Sequence, residues 1–184
     1  MDLSEVDALI RSRRTSMVVD PVRPIPHDVV QWLCDLAQQA PNHKRTWPWR
    51  FALVEADARA KLGEGIADAM ALHGDPADKV TKARRKYLRT PATLVVGSAA
   101  GESPLRTAEN RDAVAAGIQN LMLAATAAGI ATYWGSCPKG ANDAVTSLCG
   151  WEPETYVSAL IYLGWAISPV AAPSRPEPTI TYLT

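Results

Sequence analysis

The sequence is poor in the residues on which several functional classes depend. It holds three cysteines, Cys34, Cys137 and Cys149, and no CxxC pair. An odd and scattered set argues against a disulfide framework and a thiolate zinc site, and fits a reducing, cytoplasmic compartment. The three histidines, His27, His43 and His73, lie far apart, and HExxH is absent. No metal-ligand spacing results. The chain also lacks a GxSxG elbow, a Walker loop and a GxGxxG fingerprint, which removes support for a serine hydrolase, a P-loop nucleotidase and a Rossmann dinucleotide site. Excess charge of one sign is missing, since Lys+Arg and Asp+Glu are 19 each. No global field therefore draws the chain to nucleic acid or to a membrane surface. The N-terminus mixes acids with apolar residues and lacks the apolar core of a signal peptide. The most apolar segment, 113 to 132, carries Gln119 and Asn120 at its centre, which fits a buried helix and not a membrane span.

What is present is enough for one domain of 184 residues with a real core. Its densest stretch is Ala40 to Phe51, where His43, Lys44, Arg45 and Arg50 alternate with Trp47, Trp49, Pro41 and Pro48. The prolines exclude a helix interior and would break a strand ladder. A rigid loop carrying donors and flat aromatic surface suits a planar, anionic ligand. It equally suits a basic surface loop whose tryptophans tuck into the core. A second donor-rich spot, Arg13 to Ser16, follows the first helix. It is either a phosphate cradle or a set of cations complementing the helix macrodipole.

Periodicity places helices at 4–12, with Ser4 as the cap, at 28–40, 57–72 and 78–88, at roughly 108–128, and from Asn142 to Leu148. Strands fall at 51–54, 93–96, 130–134 and 157–163. The helix at 78–88 is a charged surface element without the aromatic ladder of a nucleic-acid stripe. Gly129 closes the long helix. That helix is apolar nearly all round, so it belongs in a core or a subunit interface. Strands alternating with helices give an α/β or α+β fold. After a proline-rich arm, Thr179 to Leu183 has strand propensity and wants a sheet edge, either on its own domain or on a second subunit.

Several short motifs, in order, give the chain a resemblance. They are Arg13-Arg14-Thr15, Ala40-Pro41-Asn42-His43-Lys44, Pro48-Trp49-Arg50-Phe51, the alanine-rich helix 113–129, Trp134-Gly135-Ser136 and Pro176-Glu177-Pro178-Thr179. With these the chain resembles the FMN-dependent nitroreductase family, and in particular its short bacterial NAD(P)H nitroreductase branch. The likeness spans nearly the whole chain, and the joint order carries more weight than any single motif.

The resemblance implies an α+β nitroreductase fold in one domain, 1–184. Its central sheet would be mostly antiparallel, and its C-terminal arm, 170–184, would be exchanged in a homodimer. It implies FMN at the dimer interface, held by Arg13, Arg14 and Thr15 of one subunit and His43 of the other. Trp134, Gly135 and Ser136 would line the flavin edge, Arg175 would reach the phosphate, and Gln39 stands where the branch uses an arginine for FMN. NAD(P)H would be the co-substrate and a nitroaromatic, quinone or enone the small-molecule acceptor. No catalytic side chain is implied, because the flavin does the chemistry. Met17, Gln39 and Gly135 each replace a cation of relatives, which should weaken stabilisation of a reduced, anionic flavin. An FMN-binding storage or sensor protein with little turnover is the alternative reading. Cys137, beside the implied site, reads as a packed thiol.

Overall fold

The computed structural model describes residues 2–183. Four strands form one antiparallel sheet, β1 (Trp49–Glu55), β2 (Ala92–Ser98), β3 (Ile130–Gly135) and β4 (Tyr156–Trp165), in the order β1-β2-β4-β3. Six helices surround it: α1 (Leu3–Ser12), α2 (His27–Ala37), α3 (Ala58–Leu72), α4 (Ala77–Lys86), α5 (Pro104–Ala127) and α6 (Asn142–Cys149). The α+β class and antiparallel sheet match the sequence expectation.

The two faces of the sheet follow from alternation along its central strands. Ala92, Leu94 and Val96 of β2, with Ala159, Ile161 and Leu163 of β4, pack against α2 and α5. Val95, Leu160 and Tyr162 point the other way, toward α3, α4 and α6. Val157 joins Leu160 on that second face although the two differ in parity. A register shift explains it: Val96 pairs with Ala159 while the adjacent Gly97 pairs with Val157, leaving Ser158 as an extra residue. One inserted residue restarts the alternation.

The helix boundaries correct several expectations. Asp2, not Ser4, caps α1. Its carboxylate accepts from the Ser4 amide at 3.4 Å, and Glu5 accepts from the Asp2 amide at 3.0 Å. This reciprocal box satisfies two orphan donors and starts the helix at Leu3. Helix α2 stops at Ala37 instead of running to Ala40, because its end tightens. The amides of Gln39 and Ala40 bond to the carbonyls of Leu36 and Ala37, three residues back. Ser103 and Pro104 read in the sequence as a cap and a first helical residue, and the long helix α5 does begin at Pro104, capped by the Ser103 side chain, without the gap to 108 that periodicity leaves. Gly129, at φ +76°, closes it as expected. Thr179–Leu183 forms no strand among the described residues. Residues 166–183 are exposed, and the apolar Ile180, Tyr182 and Leu183 pair with no sheet edge among the described residues.

Helix α5 is the centre of the molecule. Val114, Ile118, Leu121 and Ala125 on one face are fully buried, while Ala115 and Ala116 on the opposite side are exposed. Asn120 donates to the Leu36 carbonyl at 3.4 Å, answering the need for a partner inside the apolar run. The approach of α5 to α2 and β1 is closest at Gly117. A Cβ there would lie 2.5 Å from the Ala37 carbonyl oxygen and 2.6 Å from Trp49 Nε1. Alanine would favour the helix by about 1 kcal/mol through propensity. Overpacking against a rigid backbone oxygen costs about 1–3 kcal/mol, so the clash prevails. Gly117→Ala should lower the thermal midpoint by several degrees in a calorimetric scan; an unchanged or raised midpoint would contradict this seam.

Candidate functional site

The chain before the sheet delivers the first set of side chains. Helix α1 ends at Ser12, and residues 13–16 run beside β3. Thr15 bridges Thr132, and the Ser16 amide donates to the Thr132 carbonyl at 3.0 Å. This lays Arg13 to Ser16 along the exposed edge of the strand that carries Trp134, Gly135 and, just beyond it, Ser136. Arg14 turns back, and its Nη1 donates to the carbonyls of Arg11 and Arg13 at 2.6 and 2.8 Å. It thus closes the C-terminus of α1, the macrodipole role open to it from sequence. Its Nε is buried without a partner among the described residues.

Arg13 has a different environment. Together with Arg14, Gln119 and Arg175 it lines a cleft of about 780 Å³ between α1, α5 and the C-terminal arm. Partial burial, then the charges of Arg175 and Arg14, push the Arg13 guanidinium below its ordinary pKa. It remains a cation, but one held at a cost that an anion would relieve. The carboxylate nearest in sequence, Asp7, is engaged by Arg11 at 2.7 Å. The arm thus brings Arg175 to Arg13 across more than 160 residues of chain. Gln119, marked in the sequence only as an amide inside an apolar helix, is the additional polar group here.

Gln39 and His43 lie elsewhere. Gln39 is exposed at the end of α2, donating to the Asp35 carbonyl at 3.3 Å. His43 opens a short 3₁₀ turn, His43–Arg45. In that loop Lys44, Arg45 and Trp47 have φ of 63°, 53° and 49°. Left-handed backbone at non-glycine residues needs outside support. Asn42 supplies it, accepting from the Trp47 amide at 2.9 Å and donating to Thr46 at 3.0 Å. Thr46 in turn donates to the buried Asn110 of α5 at 2.6 Å. Trp49 is buried and Phe51 packs on the core, so these two anchor the loop. Trp47 is exposed. His43 reaches Glu109 and Arg106 on α5, at 3.0 and 2.9 Å. Gln119 is ten residues further along the same helix, about 15 Å at 1.5 Å per residue. The donors divide into two clusters on one helix.

The turn after β3 rests on an aromatic shelf. Tyr162 stacks on Tyr87 with centroids 5.6 Å apart and planes within 2°, and Tyr133 meets Tyr162 edge-on at 5.6 Å. A Cβ at Gly135 would lie 3.0 Å from the Tyr162 ring. Tyr162 therefore occupies the room that a larger residue at 135 would need. Met17 packs against the same cluster. One cation missed by sequence reasoning lies close by: Lys86, half-buried, sits over the Tyr87 ring at 5.1 Å. Burial lowers its pKa, while Cys137 pulls it back up. Its signal in the sequence was hidden among the cations of a surface helix.

Burial raises the Cys137 thiol from its usual 9.0 to about 11, against the opposing pull of Lys86. The neutral thiol is favoured at physiological pH, as expected of a packed side chain. At pH 8 the thiolate fraction should be about a hundredfold below that of an unperturbed cysteine, from the two-unit difference. Iodoacetamide labelling of Cys137, followed by mass spectrometry, should accelerate with pH up to about 11. A rate that levels off below pH 9 would contradict this environment.

The family model described as "Nitroreductase family" matches residues 10–165. The chain is 29% identical over 161 residues to "Putative NAD(P)H nitroreductase YfhC" of Bacillus subtilis, covering 85% of this chain and 82% of that protein. It is 22% identical over 185 residues to "Putative NAD(P)H nitroreductase YdjA" of Escherichia coli K12, covering 98% and 100%. A crystal structure of a nitroreductase with bound FMN from Bacteroides fragilis superposes with a TM-score of 0.77 at 23% identity, over 98% of this chain and 99% of that one. The family match takes in all four strands and all but the ends of the chain: this protein belongs to the nitroreductase family.

Proposed function

We propose that the protein is an FMN-dependent NAD(P)H oxidoreductase acting on a small nitroaromatic, quinone or enone acceptor. The observation that carries the reading is the cleft where Arg13 and Arg175 converge on each other. Among the described residues its only carboxylate, Asp7, is already paired with Arg11. An anion between them would relieve the repulsion of these like charges, and a phosphate monoester fits both charge and donor set. The names of the relatives, NAD(P)H nitroreductases, and the FMN of the B. fragilis structure point the same way.

Arg13 and Arg175 would hold the phosphate, with Arg14 orienting the segment through α1. The Thr15 hydroxyl and the edge at Trp134, Gly135 and Ser136 would border the ring. FMN, when bound, supplies acceptance and release of electron pairs, which no side chain here can offer. The protein's part is to bind, align the two substrates in turn and shape the field around the ring. Lys86 is the cation best placed to offset the losses at Met17 and Gly135. Gln39 would contribute an amide from the loop side.

Two clusters on one helix, about 15 Å apart, support a site completed by a second copy of the chain, with His43 acting in the partner's cleft. The exposed apolar residues Leu3, Val6 and Ile10 of α1 and Ile180, Tyr182 and Leu183 of the arm fit burial in such a homodimer. The arm, 170–184, would then lie across the partner while residues 1–184 form one FMN-binding domain. A storage or sensor role is the second reading, favoured by the apolar packing of Met17 and the space taken by Tyr162 under Gly135.

The full-length protein should bind FMN, and NAD(P)H with menadione should give steady turnover. Binding without turnover would select the storage reading, and no binding would overturn both. A charge-assisted hydrogen bond contributes about 1.5–3 kcal/mol. Arg13→Ala should therefore weaken FMN binding by roughly 10- to 150-fold in a fluorescence titration. Full occupancy at low FMN in that variant would remove Arg13 from the phosphate site.

A further inference from the structure

After β4 the chain leaves the sheet with little to fasten it. The Ala166 amide donates to the Gly129 carbonyl at 3.1 Å, and the Ile167 amide to the Val18 carbonyl at 3.3 Å. From Ser168 to Leu183 no hydrogen bond or ion pair follows among the described residues. Packing does not replace them, since all of 166–183 is exposed. The root of the arm, Ser168 to Val170, roofs a cavity of about 190 Å³ beside Ser12 and Arg14. The next stretch, Ala172 to Arg175, borders the cleft of about 780 Å³.

Charge works against this placement. Four cations, Arg11, Arg13, Arg14 and Arg175, line the cleft with one carboxylate, Asp7, which Arg11 engages. Glu177, two residues past Arg175, pairs with no cation among the described residues. Arg175 thus meets Arg13 as a like charge, and each disfavours the approach of the other. Backbone preference works the other way. Pro173 and Pro176 bracket Arg175. Each ring holds its own φ near −65°, and Pro176 steers Arg175 toward extended backbone. The arm is a stiff segment hinged at 166–168, aimed at the cleft by its prolines and held off by its charge.

We propose that the arm is an anion-operated strap: a phosphate monoester in the cleft draws Arg175 toward Arg13 and closes the arm over α1 and α5. The inference rests on the reading of the cleft as the phosphate site of FMN. In the open arm the Arg175 charge is lost to the cleft, so apparent affinity falls by the fraction of molecules that are open. The linkage is reciprocal. Whatever stiffens the arm tightens phosphate binding, even at a residue that donates nothing to the ligand. Closure also sets the direction in which Ile180, Tyr182 and Leu183 leave the domain.

Brief subtilisin digestion of the full-length protein, with cuts located by mass spectrometry, tests the strap. Cutting between Val170 and Thr179 should slow roughly tenfold with saturating FMN, and should slow also with inorganic phosphate alone. Riboflavin, which has the ring without the phosphate, should leave the rate unchanged. Arg175→Ala should abolish the protection at FMN concentrations that saturate that variant. In fluorescence titrations Pro176→Gly, which frees the arm without removing a donor, should weaken FMN binding roughly two- to fivefold and spare riboflavin. An arm cut equally with and without bound FMN would overturn the strap, as would protection by riboflavin equal to that by FMN. Unaltered FMN affinity in Pro176→Gly would reject the reciprocal coupling. Protection by inorganic phosphate in a protein that does not bind FMN would uphold the strap and reject the cofactor; protection by neither would reject the strap.

Discussion

The packing of α5 into the groove formed by α2 and the sheet is the constraint on which the remaining structure depends. It is possible because small residues face the contact, and at Gly117 the helix meets the carbonyl of Ala37 with no side chain between them. Close packing of this kind makes dispersion and burial large per residue, and it leaves little tolerance for added volume. It also fixes distances. The helix is one rigid rod, so Arg106, Glu109 and Asn110 near one end keep a set spacing from Gln119 toward the other. The polar clusters inherit their separation from the core.

The second face of the sheet has a different duty. The inserted residue at Ser158 lets Val157 and Leu160 point to the same side, so the layer beneath α3, α4 and α6 stays apolar through the irregularity. Tyr162 and Tyr87 complete that layer with aromatic surface where the strand β3 ends. The turn at Gly135 is consequently shaped from below, by ring packing that leaves little room for a side chain at this position. Lys86 approaches the same shelf from α4 and brings a cation to it from a segment remote in sequence.

The sheet and its helices were legible because they rest on periodicity. The strands around Val95 and Ile161 were visible as β-branched and apolar runs, and the end of α5 as a glycine that alone accepts φ +76° without strain. Boundaries were less so. The choice between Asp2 and Ser4 as cap depends on which side chain meets a free amide, and both are capping residues. The strand propensity of Thr179 to Leu183 finds no pairing neighbour among the described residues, and a strand exists only through its pairing. Of the site, the convergence of Arg13 with Arg175 was anticipated by resemblance. The partners of His43 were not, because Arg106 and Glu109 read as an ordinary pair on an amphipathic helix until the loop is folded over them.

The left-handed residues of the 42–47 loop carry a consequence for motion. Lys44, Arg45 and Trp47 are each held in conformations that non-glycine residues rarely adopt, through a short relay of side chains ending on Asn110. Intrinsic preference therefore opposes this conformation, while the relay to Asn110, the contacts of His43 with α5 and the buried Trp49 hold it. Displacing this loop would uncover the polar face of α5 at Arg106, Glu109 and Asn110.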